Sequence, residues 1–427
     1  MKHIDYKIIE SFIDFLFSNN IIGSVKDYSN LFSDEPRFFQ FNSLLNEKNP
    51  VLESKGFFVD IDNVSSSGIS FNSRKVALFK CLAEALERFC QHSYQEEFTY
   101  DSRLSDLKKP ALDPSIFQPG IDTKQIEFSW VKGKNLTTKK ECLIPTQLIY
   151  LNYFKNSKTN EPILSQLNSS GTAGGFTEEE SILSAIFELI ERDAFMGIYL
   201  NKIKPLRIDL STVKDKVIKN IVAELENKYF KPYVYDISTD LNIPVFLAII
   251  VDRTEEKPKF TVGAKCGFDE VEIIKGALEE AVMLRDWLRS EMLKIKPAKI
   301  INPKKINSFL ERAMFWNFDN SILSNLDFLL KQKPKIKFLR RAKKEKNRLE
   351  NVISLLSNKG YIIYDKDITL PEMKKINFYV HRVIIPGLQP LYLDEQYKEI
   401  NIIRLKKISD FYGQSFKQIN IVPHPFL

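Results

Sequence analysis

Two short acidic segments 104 positions apart constrain this chain more than anything else in it. Residues 83–89 read A-E-A-L-E-R-F and residues 187–193 read F-E-L-I-E-R-D, so E-x-x-E-R recurs at Glu84, Glu87, Arg88 and at Glu188, Glu191, Arg192. A Ser-Ser-Gly turn is expected before each copy, at Ser66-Ser67-Gly68 and Ser169-Ser170-Gly171. From that glycine to the first glutamate is 16 residues in one copy and 17 in the other. Glutamates three apart on a helix share a face, with Cβ atoms about 5–6 Å apart, and repel unless a positive charge lies between them. A hard dication such as magnesium suits that place, because it prefers oxygen ligands and bridges carboxylates to phosphate oxygens. Four carboxylates from two helices could hold more than one such ion around a triphosphate. The arginine next to each pair then serves as a phosphate clamp or as a charge partner.

A plainer account of either copy alone is a solvated helix face on which Glu84 pairs with Arg88 at i, i+4 for a few tenths of a kcal/mol. The matched turns and the apolar neighbours Leu86, Phe89, Leu189 and Ile190 favour acids near the interior, where an uncompensated carboxylate costs several kcal/mol. Small side chains in Ser169-Ser170-Gly171-Thr172-Ala173-Gly174-Gly175 let backbone N–H groups approach a phosphate or a substrate backbone. No P-loop and no kinase signature is present, so any use of ATP relies on carboxylates.

The 427 residues, 44% hydrophobic and 27% charged, fit a globular protein with two or three cores. A net charge of +7 reads as a lysine-rich surface rather than a nucleic-acid footprint. No apolar run is long enough to cross a membrane, and Glu10 and Asp14 break the Ile8–Phe17 stretch, so neither a membrane association nor a signal peptide is expected. Cys81, Cys90, Cys142 and Cys266 show no C-x-x-C spacing and are expected to be reduced and buried, in a cytoplasmic protein. The scattered His3, His92, His381 and His424 make a zinc site a poor fit and take structural or surface roles, His424 being the one worth testing.

Residues 1–55 read as a helical preface, with Ile8, Ile9, Phe12, Ile13 and Leu16 at helical spacing and a stop at Asn19-Asn20. Residues 56–427 then form the catalytic domain. Strands are expected over Gly56–Ile61, Ile126–Val131, Pro244–Val251, Lys259–Val262 and Asn377–Ile385, with a serine-rich turn at Ser65–Gly68. Helices are expected over Lys75–Gln91, Glu178–Leu200 and Glu270–Arg289. The basic stretch Lys333–Arg348 reads as a solvated helix or hairpin, with a docking surface for an acidic peptide as the lesser alternative. The alternation without a regular period points to an α/β or mixed α+β class.

Three separated blocks resemble the YcaO family, ATP-dependent enzymes that activate peptide backbone amides. They are Ser65–Gln91; Ser169–Ala194, with SSGTAGG…ELIERDA close to the family's S-N-G-x-A-x-G…E-x-x-E-R-D-A; and Ala277-Leu278-Glu279-Glu280-Ala281…Arg285 with Val383-Ile384-Ile385-Pro386-Gly387-Leu388. The second block is the specific one. The resemblance implies a YcaO-like fold of mixed sheets and packed helices, with ATP and Mg2+ as cofactors. Glu84, Glu87, Glu188 and Glu191 would face the metal and phosphates. Arg192, Glu180, Glu280 (with Glu279 adjacent), Arg285, Ser67 and Lys80 would line the nucleotide. The chain departs from the family at Phe176 (usually asparagine), Lys80 (often serine), Gly276 (often basic, with Lys275 adjacent) and Met283 (commonly glutamine).

Azoline-forming members typically end P-x-P-x-P, and this chain ends P-H-P-F-L, so Pro423 and Pro425 match and Leu427 replaces the last proline. A proline-stiffened tail would bring its terminal carboxylate to the catalytic site, with a plain surface tail as the alternative. The resemblance therefore implies a cyclodehydratase that forms thiazolines or oxazolines from Cys, Ser or Thr of a ribosomally made peptide. Thioamide or amidine formation, or a non-catalytic ATP-binding scaffold, are the other readings. A homodimer is implied, and because the preface shows no leader-binding or ubiquitin-activating-enzyme-like domain, a separate partner would present the peptide.

Overall fold

A computed structural model describes residues 4–54, 58–59, 64–94, 99–153, 160–166, 168–254, 258–294, 301–318, 320–337, 339–341 and 347–426. The chain divides into two compact units, Met1–Tyr28 with Phe39–Glu188 and Glu345–Pro386, and Ser29–Phe38 with Leu189–Lys344 and Gly387–Leu427. Each mixes antiparallel sheet with packed helices, as the α+β reading expects.

In the first unit the strands Ile22–Asp27, Phe39–Leu45 and Ser65–Ser70 form an antiparallel meander. The helix Arg74–Gln91 lies on it, capped by Ser73, whose hydroxyl accepts from the Val76 N–H at 3.3 Å. Its buried face carries Ala77, Cys81, Leu82, Ala85, Leu86 and Phe89, matching the helical period. A second sheet runs in the order Thr99–Arg103, Glu127–Asn135, Tyr364–Asp367, Tyr379–Ile384, Thr172–Gly175, so the small-residue segment becomes an edge strand. The N-terminal helix Tyr6–Ser18 inserts Phe12 against Phe79 and Phe378, with ring centroids 5.2 and 5.0 Å away. Phe176 stacks on Phe79 in the same cluster at 5.2 Å. A position that is usually asparagine in the family is thus part of an aromatic core here.

In the second unit Phe230–Asp236, Val245–Asp252 and Phe260–Cys266 form an antiparallel run covered by the helix Glu270–Lys294. Leu206–Ile208 and Pro334–Lys335 extend the sheet. The segment Ser29–Phe38 belongs to this unit, where Glu35 accepts from the Nε of Arg285 at 2.7 Å.

The two units share one packing device. In the first, Gly68 faces the backbone of Ala77 and Cys81 so closely that a Cβ would lie under 3.0 Å from both. In the second, Gly263 meets Ala277 and Ala281 in the same way, with the Cβ of Glu280 at 2.9 Å from its would-be Cβ as that of Lys80 is for Gly68. The echo read in sequence pairs the helices carrying Glu84 and Glu188. The echo in space pairs Arg74–Gln91 with Glu270–Lys294, and puts Glu280 where Lys80 stands.

Several expectations are corrected. The preface is not helical throughout, because residues 22–27 and 39–45 are strands. The first Ser-Ser-Gly stretch is a strand rather than a turn: pairing with Phe39–Leu45 and close contact with the helix outweigh the weak strand preference of serine. Of Gly56–Ile61 only Phe58–Val59, a strand, lies within the described residues. The described part of Lys333–Arg348 is neither a helix over its length nor a hairpin. Pro334–Lys335 pairs in parallel with residues 207–208, and Lys337, Arg340 and Arg341 are tied to Asp236, Glu270 and Asp215. All four cysteines are unpaired and buried, as expected.

Gly263→Ala and Gly68→Ala should each lower unfolding stability by about 1–3 kcal/mol, the range of a forced core insertion. The check is the denaturant midpoint at unchanged slope; a shift under a few tenths of a kcal/mol would show that the helices do not need the close approach.

Candidate functional site

In the first unit each candidate acid takes a backbone N–H from a strand or turn that passes its helix. Glu84 Oε2 accepts from Ser67 N at 2.6 Å, while its Oε1 accepts from Arg88 Nε and Nη2 at 3.0 and 2.7 Å. Glu87 Oε1 accepts from Gly174 N at 2.6 Å, and Glu188 Oε2 from Gly171 N at 2.9 Å. Glu180 Oε2 accepts from Phe176 N at 3.1 Å. Gly171 has φ +85°, in the left-handed region that glycine enters without strain. A side chain on Gly174 would collide with the Phe378 ring and come within 3.0 Å of the Glu87 carboxylate. The glycines of this segment are therefore what lets the acids reach the chain.

These acids crowd one another. The Glu87 carboxyl is pushed up to about 8, first by burial and then by the charges of Glu84 and Glu188, against the Gly174 N–H and Arg88, which act to lower it. Arg88 is raised chiefly by Glu84. The two motif helices thus bring Glu84, Glu87 and Glu188 together, and at neutral pH a proton on Glu87 relieves their repulsion.

Sequence reasoning missed one cation of this site, Arg382. It is buried on the strand Tyr379–Ile384 and donates to the Ser170 carbonyl, to Thr172 Oγ1 at 3.2 Å and to the Leu148 carbonyl at 3.2 Å. Burial pulls it down to about 10, against the opposing pull of Glu188. Its position one residue before the Val383–Leu388 block was the available signal. Lys80 donates to the Ile69 carbonyl at 2.8 Å. On the same strand as Arg382, His381 is buried, with Nδ1 2.8 Å from Asp365, in keeping with the structural role expected of it.

In the second unit Glu191 is buried, and Glu280 Oε2 accepts from Ala264 N at 2.9 Å. Glu279 is buried as well. Arg192 places its guanidinium carbon 5.6 Å from the centre of the Phe426 ring. Arg285 is enclosed: Glu35, Asp252 at 2.6 Å and the Pro258 carbonyl take its donors, and its side chain is 1% exposed. Those bonds give it a visible structural task and no open face toward a ligand. The tail is not a loose surface segment. The Pro423 carbonyl accepts from Tyr199 Oη at 3.0 Å and Trp316 Nε1 at 2.9 Å, and the His424 carbonyl from Arg312 at 3.1 Å. Pro423, His424, Pro425 and Phe426 are buried, whereas Leu427 lies outside the described residues. His424 is held neutral by burial and by the charge of Arg312, and its Nε2 donates to the Tyr392 carbonyl at 2.7 Å.

Among the described residues no three His, Cys, Asp or Glu side chains close into a ready-made metal cage. The donor set nevertheless fits magnesium. It consists of hard carboxylate oxygens, one of them destabilised by like charge, and Mg2+ takes one or two carboxylates, keeps waters and shares phosphate oxygens rather than filling an all-protein cage. No helix of the described residues is long and apolar enough to cross a membrane.

With this geometry in hand, the chain matches over residues 72–389 the family model described as "YcaO cyclodehydratase, ATP-ad Mg2+-binding". It belongs to the YcaO family, whose members bind ATP and Mg2+. An uncharacterised protein of Methanothermobacter thermautotrophicus is 25% identical over 212 residues, which is 49% of this chain and 54% of that protein. An uncharacterised protein encoded in the tfuA 3' region of Rhizobium leguminosarum bv. trifolii is 28% identical over 165 residues, 36% of this chain and 38% of that one. The matches thus span about half or less of these relatives. Among solved structures, a heterocyclase in complex with substrate and cofactor superposes with TM-score 0.76 at 17% identity, covering 98% of this chain and 57% of its own. YcaO from Methanopyrus kandleri bound with AMPPCP and Mg2+ gives 0.62 at 13%, covering 89% and 91%. The E. coli microcin synthetase McbBCD complex gives 0.62 at 14%, covering 88% and 95%. These likenesses establish the fold.

Because Glu87 is raised in the folded protein above its ordinary 4.5, the native state holds a proton that the unfolded chain has lost between pH 4.5 and about 8. Its contribution to stability is therefore complete at low pH and disappears as pH rises through 8. Thermal melts of the metal-free protein should show a smaller fall in Tm from pH 5 to 8 for Glu87→Gln than for wild type. Identical pH slopes would remove the crowded-carboxylate description.

Proposed function

We propose that this chain is an ATP-dependent cyclodehydratase that closes azoline rings on a ribosomally made peptide. The observation that carries the reading is the mutual crowding of Glu84, Glu87 and Glu188, with Glu87 and Glu188 seated on the Gly174 and Gly171 N–H groups. Magnesium fits these three carboxylates, where it would screen the nucleotide's phosphates. Glu191 keeps the metal-side role, and Glu180, Arg192, Glu280, Ser67 and Lys80 the nucleotide-side roles, that family resemblance implies. Arg285, occupied by Glu35 and Asp252, is the weakest of that set.

In the proposed reaction the thiol or hydroxyl of a substrate Cys, Ser or Thr adds to the preceding carbonyl carbon and gives up its proton. The former carbonyl oxygen takes the γ-phosphoryl group as ADP departs. The amide nitrogen then loses its proton and forms C=N while the C–O bond breaks, so the original oxygen leaves as phosphate. The N–H groups of Gly171 and Gly174, spent on Glu188 and Glu87, fix the carboxylates that would face the metal, and the proline tail keeps the catalytic role that family resemblance implies. A separate leader-binding chain and a homodimer complete the proposal; the McbBCD neighbour, a multi-protein complex, lends support to the partner.

Incubation with a Cys/Ser/Thr-rich precursor, its partner and MgATP should remove about 18 Da per ring with one ADP formed, as a single phosphoryl transfer requires. A gain of about 16 Da would instead identify thioamide formation by the same activation chemistry. Unchanged mass with nucleotide still bound would leave only the scaffold reading. Glu191→Gln should abolish Mg2+-dependent ATP binding measured by calorimetry, and wild-type affinity in that variant would remove the site assignment.

A further inference from the structure

The C-terminal tail runs back along one face of the second motif helix. Arg192, Phe195 and Tyr199 stand at i, i+3 and i+7 of Glu178–Asn201 and so share that face. Phe195 and Tyr199 stack with parallel rings 6.0 Å apart, inclined by 10°. Onto this strip the tail lays its residues in reverse order. The Pro423 carbonyl receives the Tyr199 hydroxyl, the His424 ring meets Phe195 edge-on at 6.2 Å, and the Phe426 ring lies 4.7 Å from Phe195 and 5.6 Å from the Arg192 guanidinium.

Phe426 is 1% exposed, so its ring is fixed by packing before any ligand arrives. Trp316 and Arg312 hold the two carbonyls just upstream, which leaves the tail little freedom to slide. A cation within about 6 Å of an aromatic face is attracted by the ring quadrupole, and the attraction strengthens as water is excluded. An arginine held over a ring face is also restricted in the directions in which its N–H groups can donate.

We infer that Phe426 is a positioning residue for Arg192: the tail sets the arginine of the second E-x-x-E-R motif in the orientation that receives nucleotide phosphate. Tail and nucleotide grip are then one mechanical unit, and changes at the C-terminus weaken ATP binding as well as ring closure. The inference rests on the proposed role of Arg192 in phosphate binding.

The test is calorimetric binding of a non-hydrolysable ATP analogue with Mg2+ to the full-length protein, so no peptide substrate is needed. Phe426→Leu keeps an apolar side chain but removes the ring face, and should raise Kd about two- to five-fold, the loss expected of one cation–π contact. Phe426→Tyr should restore wild-type affinity. In an Arg192→Lys background, Phe426→Leu should add less than it does alone, since the two residues act through each other. Trp316 emission reports whether the tail is still seated, and Phe426→Met repeats the comparison should the leucine variant fail to fold. If Arg192→Lys or Arg192→Gln weakens binding while Phe426→Leu does not, or if leucine and tyrosine weaken it equally, the positioning role is overturned and the nucleotide reading stands. If neither arginine variant alters affinity, the phosphate assignment itself falls.

Discussion

The hydrogen bond from a strand or turn N–H to a helix glutamate is the interaction on which this structure turns. Five candidate acids make it: Glu84 with Ser67, Glu87 with Gly174, Glu188 with Gly171, Glu180 with Phe176 and Glu280 with Ala264. Hydrogen bonds to an ionised acceptor are roughly twice as strong as neutral ones and fix the direction of the carboxylate. They demand that backbone approach helix closely, which is why four of the five donors are Ser, Gly or Ala. The small-residue segments and the acidic motifs are therefore halves of one device, 16 or 17 residues apart for Glu84, Glu188 and Glu280, while Glu87 reaches across to Gly174, 87 positions on.

The same bonds expose a competition whose outcome bears on function. A carboxylate that accepts from a backbone N–H ordinarily titrates low. Glu87 titrates high, so burial and the charges of Glu84 and Glu188 outweigh both its N–H partner and Arg88. Arg88 is committed to Glu84 by two hydrogen bonds, and Arg382 is turned toward the carbonyl and hydroxyl of the Ser170–Thr172 turn. The fold leaves Glu87 buried within reach of the charges of Glu84 and Glu188. Such strain is retained where an incoming group relieves it, and a divalent cation carrying phosphate oxygens is a group of the right charge and hardness.

Local pattern suffices for the helices: it places Arg74–Gln91 and Glu178–Asn201 to within a residue and starts Glu270–Lys294 correctly, ending it five residues early at Arg289. It fails where a distant partner decides. Ser65–Ser70 has the composition of a turn, yet it is a strand because Phe39–Leu45 pairs with one side and a helix packs on Gly68. The basic stretch near residue 340 is largely solvated at Arg340 and Arg341, but its ion pairs cannot be read locally because its anions, Asp215, Asp236 and Glu270, lie 70 or more positions upstream. Arg285 reads as available for the same reason, since Glu35 is 250 residues away. The acids of the first motif are legible because their spacing on the helix is itself the chemistry; the arginine beneath the glycine-rich turn, Arg382, is not, because no spacing announces it.

The tail is anchored through its own backbone carbonyls. Proline at 423 and 425 supplies no N–H and fixes φ, so this stretch cannot pair as a strand and presents its carbonyls outward from a stiff rod. Those carbonyls are used: Tyr199, Trp316 and Arg312 donate to Pro423 and His424. Burial and the charge of Arg312 keep His424 a neutral spacer, against its donation to the Tyr392 carbonyl, which would persist in the charged ring. Register is thus set before the last residue is reached.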